Sequence, residues 1–327
     1  MGFLEQPRRA RSAVLALFGM ISRTGCSLRR AVGGILILAL ASAASATSQA
    51  TQQESASVAD RYQALVKTLN SGGPDFRNAT TDAERRAAVE RLHVIALRYV
   101  EFAEAHASDP IVLDAALEAI RALNGEDSLT QTSWELSESD FPAPGEGNPG
   151  ARAVALLLRD HVRSEKVGPI CLRMCYGLRP EYETYLKRVV EENPDKEVRG
   201  IACLALAQFL NSRLLKLDVF GEQPEFAARY ALLLGKEAFD ALRKRDRAEA
   251  GAEVEAWFTK AAETFGDVKH PYGGTIGEKA RSELFEIRNL TVGKTAPDIV
   301  GVDQDGKPLK LSEYRGRVVL LDFWSEF

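Results

Sequence analysis

The amino-acid sequence predicts a mainly α protein, either an irregular helix bundle or a helical-repeat-like array, that is followed by a short segment of β character. Apolar residues recur at helical spacing from about residue 57 to 290. After Leu290, Gly, Pro and Asp separate short runs of strand-forming residues. Hydrophobic residues make up 45% of the 327 residues and charged residues 27%, which is typical of a soluble globular protein. A net charge of −4 offers no basic surface, so we expect no nucleic-acid partner.

The first 46 residues have the three parts of a secretory signal peptide. Arginines are dense up to Arg30, residues 31–40 form an apolar run, and small residues at 41–46 fit a cleavage site. The apolar run is shorter than the roughly 20 residues that span a bilayer. We therefore expect export to the periplasm or cell envelope, with no membrane attachment after cleavage and with Met20 as an alternative start. An uncleaved membrane anchor is the competing interpretation.

Three helix starts carry recognisable capping residues. Thr81 and Glu84 form a capping box ahead of an apolar stripe. Asp109 and Asn193 each stand before a proline, an arrangement typical of an N-cap followed by the first helical turn. Residues 198–210 are apolar on nearly every side, so we expect an inner helix there.

The rest of the helical domain, which we expect to span residues 47–290, shows no fixed repeat period. Residues 126–150 are acidic and rich in Ser, Pro and Gly, which predicts a long surface loop that Trp134 and Phe141 attach to the helices. Further helices are expected over 150–163, 180–192, 224–244, 248–265 and 275–289.

Four cysteines bear on redox chemistry. Cys26 would be removed with the signal peptide. Cys171 and Cys175 share one face if they lie on a helix. A metal site there would need further ligands, and no His or Cys nearby in the sequence supplies them. Cys203 lies in an apolar run where a buried, inert cysteine is typical. A disulfide from Cys203 to Cys171 or Cys175 stays open.

Other motifs indicate no catalytic, cofactor-binding or metal-binding residue, and we expect no cofactor. Asp303–Gly306 lacks the spacing of a calcium loop and is better explained as a hairpin turn. Gly273–Lys279 lacks the Gly-Lys-Ser/Thr of a phosphate loop. The four histidines are scattered, and His93 beside an apolar stripe is typical of a satisfied core residue.

The last part of the chain, residues 291–327, forms a separate segment. Residues 299–302 and 309–311 flank the turn at 303–306, which predicts a β-hairpin. Residues 318–323 form a continuous apolar run, which predicts a central strand buried on both faces.

This segment resembles the opening of the redoxin families. The landmarks are VGKTAPD at 292–298, DGK at 305–307, LSEYRGRVVL at 311–320 and the Phe323-Trp324 pair. These families comprise peroxiredoxin-like proteins of the alkyl hydroperoxide reductase and thiol-specific antioxidant type, and thioredoxin-like thiol–disulfide oxidoreductases of the bacterial envelope. The Phe-Trp pair favours the second branch, although Asp322 stands where that branch often has Asn.

The resemblance implies the first elements of an incomplete thioredoxin-like α/β domain in a thiol–disulfide oxidoreductase or antioxidant protein with a protein redox partner. In that fold the catalytic cysteine opens the helix after the strand, where the helix N-terminus lowers the thiol pKa from about 8.5 to roughly 3.5–7.5. That cysteine would be the residue immediately after Phe327, so the chain lacks the active-site cysteines and is expected to be inactive as it stands.

The helical part has a looser likeness, quoted on residues 193–210, to N-terminal regions attached to redoxin domains in environmental bacteria. No chemistry is assigned to that region by the likeness. The alternative interpretation of the whole chain is therefore an exported helical scaffold or protein-binding domain with a vestigial redoxin stub.

Overall fold

The computed structural model describes residues 56–71, 79–132 and 147–322. The predicted signal peptide, Trp134 and Phe141 lie outside these ranges. The chain divides after Ala64 into two compact units, and the first helix crosses that division. The helices are α1 Val58–Asn70, α2 Asp82–Ala105, α3 Val112–Thr132, α4 Pro149–Leu156, α5 Gly168–Met174, α6 Pro180–Glu192, α7 Lys196–Glu222, α8 Pro224–Leu234, α9 Lys236–Lys244, α10 Arg247–Thr264 and α11 Ile276–Asn289.

Two short strands, β1 Val300–Val302 and β2 Pro308–Lys310, follow the helices. A mainly α fold with few β elements was expected from the sequence, and this prediction is confirmed. None of the helices in the described ranges is both long and apolar enough to cross a membrane.

The helices α2 and α3 pack as a pair, and local sequence accounts for how each begins. Thr81 accepts the backbone N–H of Glu84, and the Glu84 side chain accepts the N–H of Thr81, which completes the predicted capping box. Hydrogen bonds from the backbone N–H groups of Thr81 and Thr80 lower the pKa of Glu84 to about 2. Asp109 is not the N-cap that the sequence predicts, because α3 begins only at Val112; its carboxylate instead accepts the N–H of Ile111 at 3.0 Å in the turn before the helix. The predicted apolar stripe of α2 is buried: Val89, Leu92, Ala96, Val100 and Ala103.

Helix α7 is the inner helix that the sequence predicts. It packs against α5, α6, α8, α10 and α11. Its apolar residues are buried on all sides of the helix: Val198, Ile201, Ala202, Cys203, Leu204, Ala205, Leu206, Ala207, Phe209 and Leu210. Because one helix contacts five others, the arrangement is an irregular bundle around α7 rather than a stack in which each unit contacts only its neighbours.

The predicted loop over 126–150 begins too early. Helix α3 continues to Thr132, and Glu126 and Asp127 are buried within it. The physical reason is a distant partner: the guanidinium of Arg179 lies 2.9 Å from Asp127 and stabilises two acidic residues that would otherwise favour solvent. Helix α4 begins at Pro149, with Asn148 as its cap.

Asn193 is not the N-cap that the sequence predicts. Asp195 caps α7 by accepting the N–H of Val198 at 2.9 Å. The amide of Asn193 is buried and donates instead to the carbonyl oxygens of Val162 and Ser164, at 2.8 and 2.9 Å. Asn193 thus fastens the end of α6 to a segment about 30 residues earlier in the chain.

Two predicted helices are interrupted. The stretch 224–244 divides at Gly235, whose φ of 78° is in the left-handed region that ends helices. The stretch 150–163 is α-helical only to Leu156 and continues as a π-helical turn over Leu157–His161.

Candidate functional site

The segment after α11 is the part of the chain where the sequence points to chemistry, and its β-hairpin is confirmed. Val300 pairs with Lys310 and Val302 with Pro308 in antiparallel register. Asp303 holds the turn, since its carboxylate accepts the N–H groups of Asp305 and Lys307, each at 2.9 Å. Gly306 has a φ of 77°, which a residue without Cβ adopts without strain.

A second carboxylate, that of Asp298, connects the residues before β1 with the residues after β2 through hydrogen bonds. Asp298 accepts the backbone N–H of Ser312 at 2.7 Å and the Ser312 hydroxyl at 2.8 Å. These hydrogen bonds lower the pKa of Asp298. A hollow of about 290 Å³ lies beside the pair, lined also by Pro297, Tyr314 and Arg315. The residues of the VGKTAPD and LSEYRG landmarks therefore meet in space.

The predicted central strand is wrong for the residues that the structure describes. Residues 318–322 follow a turn at Gly316 and adopt no strand. Val318 is fully exposed and Leu320 is 92% exposed. A strand buried on both faces needs neighbours for its backbone and side chains, and within the described residues β1 pairs only with β2. The apolar side chains of residues 318–321 are therefore exposed to solvent.

The three cysteines of the helical domain are buried free thiols. Burial raises the pKa of Cys171, and it raises those of Cys175 and Cys203 to about 12. The buried position predicted for Cys203 is confirmed, and its Sγ lies 3.7 Å from the carbonyl oxygen of Trp257. A thiolate is the species that attacks disulfides and peroxides, so these side chains are held in the unreactive form.

We predict that Cys171, Cys175 and Cys203 resist alkylation by iodoacetamide at about pH 8 in the folded protein and react fully once it is unfolded, because they are buried and protonated. Mass spectrometry of the digested protein measures the labelling at each site. Ser282→Cys, at an exposed position of α11, supplies a thiol that should label within the same experiment. Rapid labelling of Cys171 in the native state would contradict the prediction.

The remaining motifs have local structural roles. His93 is partly exposed, and its Nδ1 lies 3.3 Å from a carboxylate oxygen of Glu126. His270 stacks edge-on with Tyr272 in the loop before α11. Thr275 and Glu278 form a second capping box, which explains the glycine-rich stretch as the entry to α11. In the described ranges, no three His, Cys, Asp or Glu side chains are placed to hold a metal ion.

Sequence reasoning missed one cluster, made by Glu126, Asp127 and Arg179. Asp127 and Arg179 are 52 residues apart, and nothing local marks either of them. Comparison of the chain with known protein families, with curated proteins and with solved structures found no match.

Proposed function

We propose that this chain is the exported helical domain and the opening segment of a redoxin-type thiol–disulfide oxidoreductase. The observation that supports the proposal is the ordered set of landmarks over residues 292–324. Their local geometry is compatible with it, since Asp298 joins the two ends of the segment through Ser312 and the hairpin lies between them. The apolar residues 318–321 come a few residues before the position where the redoxin families carry their catalytic cysteine.

The proposal assigns no chemistry to the cysteines of the helical domain. Cys171, Cys175 and Cys203 are buried with raised pKa values, which suits packing rather than thiol exchange. The helical domain would position the redoxin domain or contact the protein whose thiols are exchanged.

The test begins with the coding sequence after the Phe327 codon. We expect a Cys-x-x-Cys within the next few codons and about 100 further residues in frame, enough to complete an ordinary domain. The protein made from that whole reading frame should catalyse reduction of a disulfide substrate by a dithiol, and the 327-residue chain should not.

The control is the triple variant Cys171→Ala, Cys175→Ala and Cys203→Ala in the whole protein. It should retain the activity, whereas replacing the first cysteine after Phe327 should abolish it. A stop codon directly after Phe327, with the 327-residue protein found intact in cells, would favour the helical scaffold instead.

A further inference from the structure

Three charged side chains meet in the interior, two from α3 and one from Arg179, the residue before α6. Arg179 Nη2 lies 2.9 Å from Asp127 Oδ1 and 3.4 Å from Glu126 Oε1. The side chains are 6%, 2% and 3% exposed, for Arg179, Asp127 and Glu126 respectively. We refer to Glu126, Asp127 and Arg179 as the charge cluster. Arg179 Nη1 also donates to the Asn148 side chain at 3.3 Å, so the cluster connects α3, α6 and the cap of α4.

Titratable and polar groups from α2, from the start of α6 and from α8 act on this cluster. From α2, His93 Nδ1 lies 3.3 Å from Glu126 Oε2. The backbone N–H of Leu178 donates to Asp127, and the charge of Glu181 also acts on it. Burial raises the pKa values of Tyr182 and Tyr230, and the charge of Asp127 adds to the rise in both. Of the arginines on the other packed segments, Arg152 binds the carboxylate of Glu104 at 2.6 Å, and Arg229 Nε donates to the carbonyl oxygen of Glu225 at 3.3 Å.

The composition of the cluster favours an added proton. The Arg179 guanidinium contacts two carboxylates, and its single positive charge cannot by itself neutralise both of them when they are ionised. Burial makes such a charge costly, because the interior stabilises ions less than water does. Burial raises the pKa of Asp127 to about 6; Arg179 opposes the rise and Glu126 adds to it.

We propose that the charge cluster is a proton-binding device, in which Asp127 takes up a proton from solution in mild acid and thereby stabilises the junction of α2, α3, α4 and α6. Glu126 keeps its contact with Arg179 while Asp127 becomes neutral. This proposal does not depend on the redoxin function proposed above, since the cluster lies wholly within the helical domain.

The direction of the effect follows from the two states of the carboxyl group. The pKa of Asp127 is raised on folding above the usual value of about 3.9. The folded state therefore binds the proton more tightly than the unfolded state. Protonation of Asp127 therefore adds to the free energy of unfolding. This added stability is fully present below about pH 4 and is lost as the pH rises to about 6.

The first experiment compares the whole chain with its Asp127→Asn variant by urea unfolding between about pH 4 and 7.5. Asn is a neutral mimic of the protonated carboxyl group. The ratio of the unfolding equilibrium constants, wild type over variant, should rise by up to about tenfold per pH unit between about pH 4 and 6 and then level off. A ratio that is constant with pH would overturn the proposal.

An exposed aspartate provides the matched control. Asp267 pairs with Lys196 at 2.7 Å, is 73% exposed, and has a lowered pKa. The same ratio for Asp267→Asn should stay flat or fall slightly as the pH rises, because the folded state of that site prefers the ionised carboxylate.

If Asp127→Asn does not fold, proton binding by Asp127 can be measured directly in the wild-type protein. Carbon NMR of wild-type protein with labelled aspartate carboxyl carbons should show one signal that titrates near pH 6. In Glu126→Gln that midpoint should move to lower pH, because the neighbouring negative charge is gone. If every aspartate signal titrates below about pH 5 in the wild type, the proton-binding device does not exist.

Discussion

Replacing Arg179 with methionine is expected to lower the free energy of unfolding by about 3–5 kcal/mol. The guanidinium is the cation of the charge cluster and contacts both Asp127 and Glu126. Methionine has a similar length and is apolar, so it leaves two buried carboxylates without that partner. The loss should be smaller in mild acid, because protonation of Asp127 removes part of the buried charge. Urea unfolding at about pH 7 and pH 5 measures both values.

The same substitution in an exposed ion pair is the control for this prediction. Arg288 Nε lies 2.8 Å from Glu255, but the two side chains are 52% and 39% exposed. Arg288→Met should cost less than about 1 kcal/mol, since water replaces the lost partner. Equal losses at Arg179 and Arg288 would show that burial of the cluster contributes nothing.

Replacing Phe209 with alanine is expected to cost about 3–5 kcal/mol. Phe209 is fully buried on α7, its ring is 6.4 Å from that of Tyr182, and the Arg213 guanidinium lies 4.6 Å above it. Alanine therefore removes contacts with α6 and leaves a cavity in the centre of the bundle. Phe209→Leu keeps most of the volume and should cost less than about 1.5 kcal/mol.

Chemical denaturation of Phe209→Ala and of Phe285→Ala gives the comparison. Phe285 is 50% exposed on α11, so its truncation should change stability by about 0.5 kcal/mol or less. A small loss at Phe209 would mean that the surrounding helices collapse into the cavity.

The features that the sequence predicts correctly depend on interactions between residues that are close together in the chain. The capping box at Thr81 depends on four consecutive residues, and the hairpin depends on the Asp303 turn between two short runs. The burial of α7 follows from its own composition, because a helix that is apolar on all sides has no face suited to water. Each of these signals lies within a window that one helix or one hairpin spans.

The errors come from partners that lie far along the chain. Acidic residues at 126 and 127 are typical of a loop, but Arg179 makes them part of a helix. Asn193 and Asp195 are both suitable caps, and only the carbonyl oxygens of Val162 and Ser164 decide which of them caps α7. An apolar run such as 318–321 becomes a strand only beside another strand, and no local sequence pattern indicates whether one is present.

The position of α7 at the centre of the bundle also has a consequence for how the domain folds. Its five neighbouring helices come from both sides of it in the chain, so its buried surface is complete only when all of them have assembled. Repeat arrays can gain or lose single units at their ends. A bundle with a shared central helix instead folds cooperatively. A substitution that destabilises any helix packed against α7 therefore lowers the stability of the whole domain.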